Sequence, residues 1–140
     1  MVEFALYVDV NVFIYCLGDH PEFADKAMEW IRRIERSRRG SFITSTLTVY
    51  EALIILSGLT GRSLNDRDLI GRVIEFFLQL PNLTLEPLSP KDLLEAYNLM
   101  EAYNLDYEDS LHLAVALRVK SEGIISNDED FDRAPLKRFF

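Results

Sequence analysis

Short apolar runs alternate with longer amphipathic segments along this chain, and this alternation is the feature that most constrains its fold. Four runs suited to strands lie at residues 4–8, 41–44, 83–88 and 124–126. Strands that alternate with helices are joined by crossover connections, which favour a parallel sheet covered by helices. We therefore predict an α/β fold with a mainly parallel central sheet of about four to five strands flanked by helices.

Apolar periodicity and capping residues predict the helices between these strands. The segment 46–57 is apolar nearly all round, which indicates a buried helix. Asn65 or Asp66 is suited to cap the next helix, and Ser89 followed by Pro90 opens another. Gly40 and Gly123 are expected to end helices. The predicted helices span residues 21–39, 46–57, 67–80, 90–104 and 107–122.

Length and composition indicate one domain over residues 1–140 of a protein in the cytoplasm. The 140 residues are 49% hydrophobic, which is enough for a sizeable core. No apolar run reaches the ~20 residues of a membrane span, and the N-terminus shows no signal-type pattern. The single cysteine, Cys16, excludes an internal disulfide and fits a reducing compartment.

The charge is unevenly distributed. A net charge of −8 argues at first sight against nucleic acid as a partner, because phosphate contacts usually need a basic surface. The segments 32–39 and 136–140 are nevertheless locally basic, whereas 106–109 and 128–132 are acidic. A bound divalent cation would partly neutralise acidic patches of this kind.

Two aspartates follow predicted strands directly. Asp9 comes after the first strand, and Asp128 follows the last one with only Asn127 between. Ligands of parallel α/β sheets bind beyond the carboxyl ends of the strands, so we expect both acids at one site. The alternative for Asp9 is a helix N-cap, in which its oxygen accepts a backbone N–H. Asn11 is placed to bond the same group or a ligand.

Two further acids lie in predicted helices. Glu51 is the only charge in the apolar helix 46–57, so it either ligates a cation or forms a buried ion pair with an arginine. Asp109 either ligates a cation or is simply a negative charge in the first turn of a helix, where the helix dipole favours it. Its neighbour Glu108 is expected to point to solvent. His112, one turn further, is interpreted as a packed core histidine.

The acidic run 128–132 supplies the last candidates. Asp128 is the favoured ligand because it is nearest the strand end, and Asp130 is a possible second or outer ligand. Glu129 and Asp132 are expected to be solvated. Carboxylates that converge in a low-dielectric place repel each other, and all-oxygen sites suit Mg²⁺ or Mn²⁺. The chain has no His/Cys set with zinc spacing and no glycine-rich phosphate loop.

Four short motifs resemble those of the PIN domain, the fold of the VapC-type toxin ribonucleases. They are "YVDVNVFIY", "STLTVYEAL", "DYEDSLHLAVAL" and "IISNDEDFD", and they occur in the family's order over nearly the whole chain. By this resemblance the motif positions are occupied by Asp9, Asn11, Glu51, Asp109, Ser126, Asn127 and Asp128. The resemblance implies a single PIN-like domain.

The resemblance also implies an activity and partners. The activity is metal-dependent endonucleolytic hydrolysis of RNA, with Asp9, Glu51, Asp109 and Asp128 holding Mg²⁺ or Mn²⁺. Asn11 and Ser126 would orient ligands or the scissile phosphate. Family members commonly form homodimers, and toxin members of VapBC-type pairs are held inactive by a small antitoxin. The basic groove for RNA would use Arg32, Arg33, Arg36, Arg38 and Arg39.

Other functions remain open from the sequence. The acidity of the chain keeps a catalytically weak or inactive PIN-fold binding or scaffold protein as the alternative. A haloacid-dehalogenase-type phosphatase needs a second aspartate where this chain has Asn11. A receiver domain needs a phospho-accepting aspartate where the third strand offers Glu86. The segment around Trp30 is expected to contribute a partner surface if that side chain is not fully packed.

Overall fold

The computed structural model describes residues 5–140 of the chain. The predicted first strand begins at residue 4, so its first residue lies outside the described part. The elements are β1 (Leu6–Val8), α1 (Val10–Leu17), α2 (Ala24–Arg36), β2 (Phe42–Ser45), α3 (Thr46–Thr60), α4 (Arg67–Leu78), β3 (Leu83–Glu86), α5 (Pro90–Tyr103), α6 (Tyr107–Arg118), β4 (Gly123–Ile125), a 3-10 helix (Glu129–Arg133) and β5 (Lys137–Phe139).

The five strands form one sheet in the order β3-β2-β1-β4-β5, and every neighbouring pair is parallel. This confirms the predicted α/β class and parallel sheet. β1 lies in the centre, and its residue Leu6 is in register with Phe42 on one side and Gly123 on the other. The residues that follow β1 and β4 therefore meet at the carboxyl edge of the sheet.

Two elements were not predicted. α1 has only eight residues and is apolar on most of its surface, so it shows no helical periodicity in the sequence. β5 has only three residues, of which Lys137 and Arg138 are charged and Phe139 is aromatic, so the sequence indicates only a basic segment there. Both elements adjoin the carboxyl edge, where Asp9 caps α1 and the turn before β5 carries Asp130.

The predicted helix boundaries are partly confirmed. Asp66 caps α4, and Ser89 caps α5 in a capping box. Gly40 does not end α2, which ends at Arg36 with Ser37 as its C-cap. Gly123 does not end α6, which ends at Arg118 with Val119 as its C-cap. It begins β4, where glycine is needed because a Cβ atom would lie 2.6 Å from the ring of Phe139.

The exposed apolar surface does not lie around Trp30, where the sequence places it. Trp30 is only 8% exposed, so the segment around it does not supply the expected apolar surface. Exposed apolar side chains lie instead on other helices, including Tyr50 of α3 and Leu94 and Tyr97 of α5. Among residues 5–140, no helix combines the length and apolar character needed to cross a bilayer.

An ion pair fixes the end of α6, the helix that carries Asp109 at its start. The guanidinium group of Arg118 donates to both carboxylate oxygens of buried Asp92, at 2.9 and 3.0 Å, and to Glu86 at 2.7 Å. These bonds join the end of α6 to the start of α5 and to β3. They keep the pKa of Asp92 below its ordinary value despite the burial of the carboxyl group.

Candidate metal centre

Three carboxylates converge at the carboxyl edge of the sheet. Asp109 lies in the first turn of α6, and Asp128 and Asp130 lie in the loop and turn after β4. One oxygen from each of the three lies within 4.8 Å of the others. Asp109 is thus brought together with Asp128 and Asp130, which lie 19 and 21 positions further along the sequence.

Asp9 lies beside this cluster and is 4% exposed. Its Oδ1 accepts the backbone N–H of Val10 at 2.8 Å, so the N-cap predicted as an alternative is present. Its Oδ2 accepts the Ser126 hydroxyl at 2.7 Å and the Asn11 amide at 3.3 Å. Both oxygens are thus held in fixed positions, and capping α1 accounts for only one of them.

Ser126 and Asn11 connect Asp9 to the acidic cluster. The Ser126 hydroxyl accepts the Asn11 amide at 3.0 Å and the backbone N–H of Asp128 at 3.0 Å. Asn11 Oδ1 accepts the backbone N–H of Asn127 at 3.3 Å. The two side chains therefore couple the end of β1 to the loop after β4 and orient the acids on both segments.

Glu51 is held by His112, so the alternative in which it forms a buried ion pair with an arginine is wrong. His112 Nε2 lies 2.5 Å from Glu51 Oε1 and 3.7 Å from Asp9 Oδ1. Its Nδ1 lies 2.7 Å from the Tyr7 hydroxyl. His112 is buried, as expected for a core histidine, but it also lies between two of the candidate ligands.

The donor set fits a hard divalent cation. Every candidate ligand is a carboxylate, and Glu51 Oε2 is buried without a hydrogen-bond partner among residues 5–140. An orphaned buried carboxylate oxygen is costly, and a cation that it faces would satisfy it. All-oxygen donors favour Mg²⁺ or Mn²⁺ over softer metals.

Crowding of acids shifts their pKa values upward. Partial burial, with the nearby charges of Asp106, Asp128 and Asp9, raises the pKa of Asp109 to about 8. Interaction with the nearby Glu51 carboxyl group, together with partial burial, raises the pKa of Glu108 to about 7. Glu108 is exposed, as expected, and its carboxyl group also interacts with that of Glu51.

Burial and mutual contacts shift the pKa values of His112, Glu51 and Asp9. Burial alone would lower the pKa of His112, but the Tyr7 hydroxyl and the two carboxylates raise it well above its ordinary value. Burial would raise the pKa of Glu51, yet the hydrogen bond with His112 and the interaction with Glu108 lower it. Burial raises the pKa of Asp9, and the contacts with His112 and Ser126 only partly offset this.

We expect the metal-free protein to lose stability as pH rises from about 4 to about 8, and Asp109→Asn to reduce this loss by about 1–2 kcal/mol. A raised pKa means that the folded state binds the proton more tightly. Its contribution is complete below the unfolded value of 3.8 and is lost as pH passes about 8. Urea unfolding in EDTA measures this. Glu129→Gln, on the same edge, is the control, and equal pH slopes for wild type and Asp109→Asn would contradict the prediction.

The arginines predicted to contact RNA lie elsewhere in the fold. All five are exposed, in the last turn of α2 or in the segment that leads into β2. Because β2 is parallel to β1, this segment lies at the amino edge of the sheet, opposite to the acids. The members are Arg32, Arg33, Arg36, Arg38 and Arg39.

Comparisons with solved structures agree with this architecture. Mycobacterium tuberculosis VapC20, a sarcin-ricin loop cleaving toxin, is similar with a TM-score of 0.75 at 13% identity, over 94% of this chain and 96% of that chain. VapBC2 from Rickettsia felis, bound to a DNA fragment from their promoter, gives 0.65 at 17% identity, over 96% and 97%. A toxin–antitoxin complex from Klebsiella pneumoniae gives 0.63 at 20%, over 94% and 92%. At such identities the likeness shows the fold alone.

Sequence comparisons give the family. No curated protein sequence matches the chain. The family model of the PIN domain matches residues 6–137, a range that includes every acid of the cluster. With that match and the parallel sheet that carries the acids, the chain belongs to the PIN-domain family.

Proposed function

We propose that residues 1–140 form a single PIN domain that hydrolyses RNA as a Mg²⁺- or Mn²⁺-dependent endoribonuclease, the toxin of a VapBC-type pair. The convergence of Asp109, Asp128 and Asp130 beside buried Asp9 is the observation that carries this proposal. Glu51 adds a buried oxygen without a partner. Such a set of acids has no evident purpose in stability, because its members repel each other.

The residues that would hold the cation are Asp9, Glu51, Asp109, Asp128 and Asp130. When bound, a divalent ion lowers the pKa of a water molecule and stabilises charge on a phosphodiester undergoing attack. Ser126 and Asn11 hold the Asp9 carboxylate in place through their hydrogen bonds. His112 restrains Glu51 through Oε1, and Oε2 is the oxygen without a partner among residues 5–140.

Proton release accompanies cation binding at this site. Asp109 has a pKa of about 8, so it is largely protonated near neutral pH in the metal-free protein. A carboxyl group must lose its proton to ligate a cation. Affinity for Mn²⁺ is therefore expected to rise as pH increases toward about 8.

RNA is the proposed substrate because of the family and of similar proteins. VapC20 of Mycobacterium tuberculosis cleaves the sarcin-ricin loop, and two other similar structures are toxin–antitoxin assemblies. A role as a toxin implies a small antitoxin partner. The single Cys16 supports a cytoplasmic site of action for this chain, where thiols stay reduced.

Cleavage of folded RNA by the purified protein tests the proposal. We expect internal cuts with Mn²⁺ or Mg²⁺ and none in EDTA. The alternative, an inactive PIN-fold binding or scaffold protein, predicts that Mn²⁺ raises the melting temperature without any cleavage. Absence of both effects would contradict a metal site altogether.

We also propose a homodimer, supported by exposed apolar side chains on α5. Leu94 and Tyr97 are 68% and 70% exposed, and they lie three residues apart on one face of that helix. Replacing both with serine is expected to shift the protein from dimer to monomer in light scattering. Leu78→Ser on α4, where the side chain is 71% exposed, is the matched control. A wild-type monomer at high concentration would contradict the proposal.

A further inference from the structure

A cavity lined by arginines lies where α2 ends and β2 begins. It has a volume of about 420 Å³, and Arg33, Arg36 and Arg38 line it. Leu6 and Phe42 also line it, and both are packed into the core. We call this cavity the arginine recess. It places three cations around a small hollow with a fixed apolar wall.

No acid within residues 5–140 pairs with the arginines of the recess, although the guanidinium group of Arg33 lies over the Trp30 ring, 4.3 Å from its centroid. The helix dipole favours cations in the last turn of α2, which accounts for Arg33 and Arg36. Arg38 lies beyond the C-cap Ser37, so the dipole does not explain it.

The shape and charge of the recess fit a phosphate group. The three arginines line one hollow, so their positive charges repel one another, and an anion bound there would reduce that repulsion. The planar fork of arginine matches phosphate oxygens, and the segment 32–39 contains arginines but no lysine. The other locally basic segment, 136–140, includes Arg138, whose guanidinium group is already paired with Asp132.

The recess and the acids lie at opposite edges of the sheet. Leu6 begins β1 and borders the recess, whereas Asp9 follows the end of β1. Three residue steps along a strand separate these two positions by about 10 Å. Phosphates along one strand of a duplex advance about 3.4 Å per nucleotide, so at least about three nucleotide steps are needed to reach from one edge to the other.

We propose that the arginine recess anchors a backbone phosphate of the RNA, so that the substrate is an RNA long or folded enough to contact both edges of the sheet. This inference rests on the proposed function. The acids repel the RNA backbone at the cleavage edge in the absence of a cation. The recess holds the same molecule from the opposite edge.

Binding of a labelled folded RNA in EDTA, which prevents metal-dependent cleavage, tests the anchor. We compare Arg36→Gln/Arg38→Gln with Arg32→Gln/Arg39→Gln, two variants with the same change in charge. Arg32 and Arg39 are exposed but do not line the recess. The recess variant is expected to bind about 25-fold more weakly at 0.1 M salt, with a salt slope smaller by about 1.4 for two lost contacts. The control should stay within about twofold of wild type.

Other measurements make the result decisive. Unchanged melting temperatures show that both variants fold. A trinucleotide is expected to bind weakly to wild type and both variants alike. Equal losses in the two variants, or none, would overturn the anchor, as would a wild-type protein that binds no RNA. Polyglutamate serves as a model of an acidic protein partner. If the recess variant loses binding to polyglutamate but still binds RNA, the recess binds an acidic protein and the RNA anchor is overturned.

The same experiment separates the anchor from the proposed function. A wild-type protein that binds RNA through the recess but cuts none with Mn²⁺ retains the anchor and loses the nuclease. A wild-type protein that cuts RNA while the recess variant binds it normally retains the nuclease and loses the anchor.

Discussion

Asp9→Asn is expected to reduce RNA cleavage by more than about 100-fold. This loss is larger than the loss usually caused by substituting a residue that only orients a metal ligand. Asparagine keeps the shape of the side chain, and its carbonyl oxygen can still accept the Val10 N–H. One negative charge leaves a crowded acidic site, so the metal-free protein should be as stable as wild type or more stable. Cleavage rates and melting curves with and without Mn²⁺ measure both effects.

The response to Mn²⁺ distinguishes the three interpretations of Asp9. In the wild type a hundredfold excess over the Kd should add about 2.7 kcal/mol to the free energy of unfolding, and Asp9→Asn should reduce this gain. If Asp9 acts only as a cap, all properties should stay near wild type. If it matters chiefly as a buried ion-pair partner, the metal-free variant should be strongly destabilised. Glu129→Gln on the same edge is the control, and wild-type cleavage by Asp9→Asn would contradict the metal site.

The position of the acids was largely predictable from the order of strands and helices. Asp9 and Asp128 follow strands of a parallel sheet, whose carboxyl ends meet at one edge whatever the details of packing. The same reasoning applies to the arginines of 32–39, which precede β2 and therefore lie at the opposite edge. The resemblance to a family with a basic groove did not indicate at which edge of the sheet these arginines lie.

The partner of Glu51 was not predictable from local pattern. His112 is 61 residues away, and its spacing from Asp109 indicated only the packed side of a helix. Helical periodicity correctly predicts that Glu108 is exposed, but it does not indicate the interaction of its carboxyl group with Glu51. Long-range contacts between buried polar groups depend on how helices pack, and no periodicity in the sequence encodes that packing.

His112→Gln is expected to destabilise the metal-free protein by about 3–5 kcal/mol, because it removes the cation that Glu51 and Asp9 share inside the protein. Glu51 would keep a buried charge with neither oxygen paired to a positive group. Urea unfolding in EDTA measures the loss, and His20→Gln in the loop before α2 is the matched control, expected to cost about 1 kcal/mol or less.

Recovery by metal separates this electrostatic role of His112 from simple packing. A divalent cation beside Glu51 and Asp9 would supply the positive charge that the variant lacks, so Mn²⁺ should stabilise His112→Gln more than it stabilises wild type. A histidine that only fills space predicts a loss that Mn²⁺ does not restore, because a cavity or a poorly fitting amide is unaffected by a cation. Equal stabilisation of the variant and the wild type by Mn²⁺ would therefore contradict the electrostatic role, and it would also separate Glu51 from the cation site.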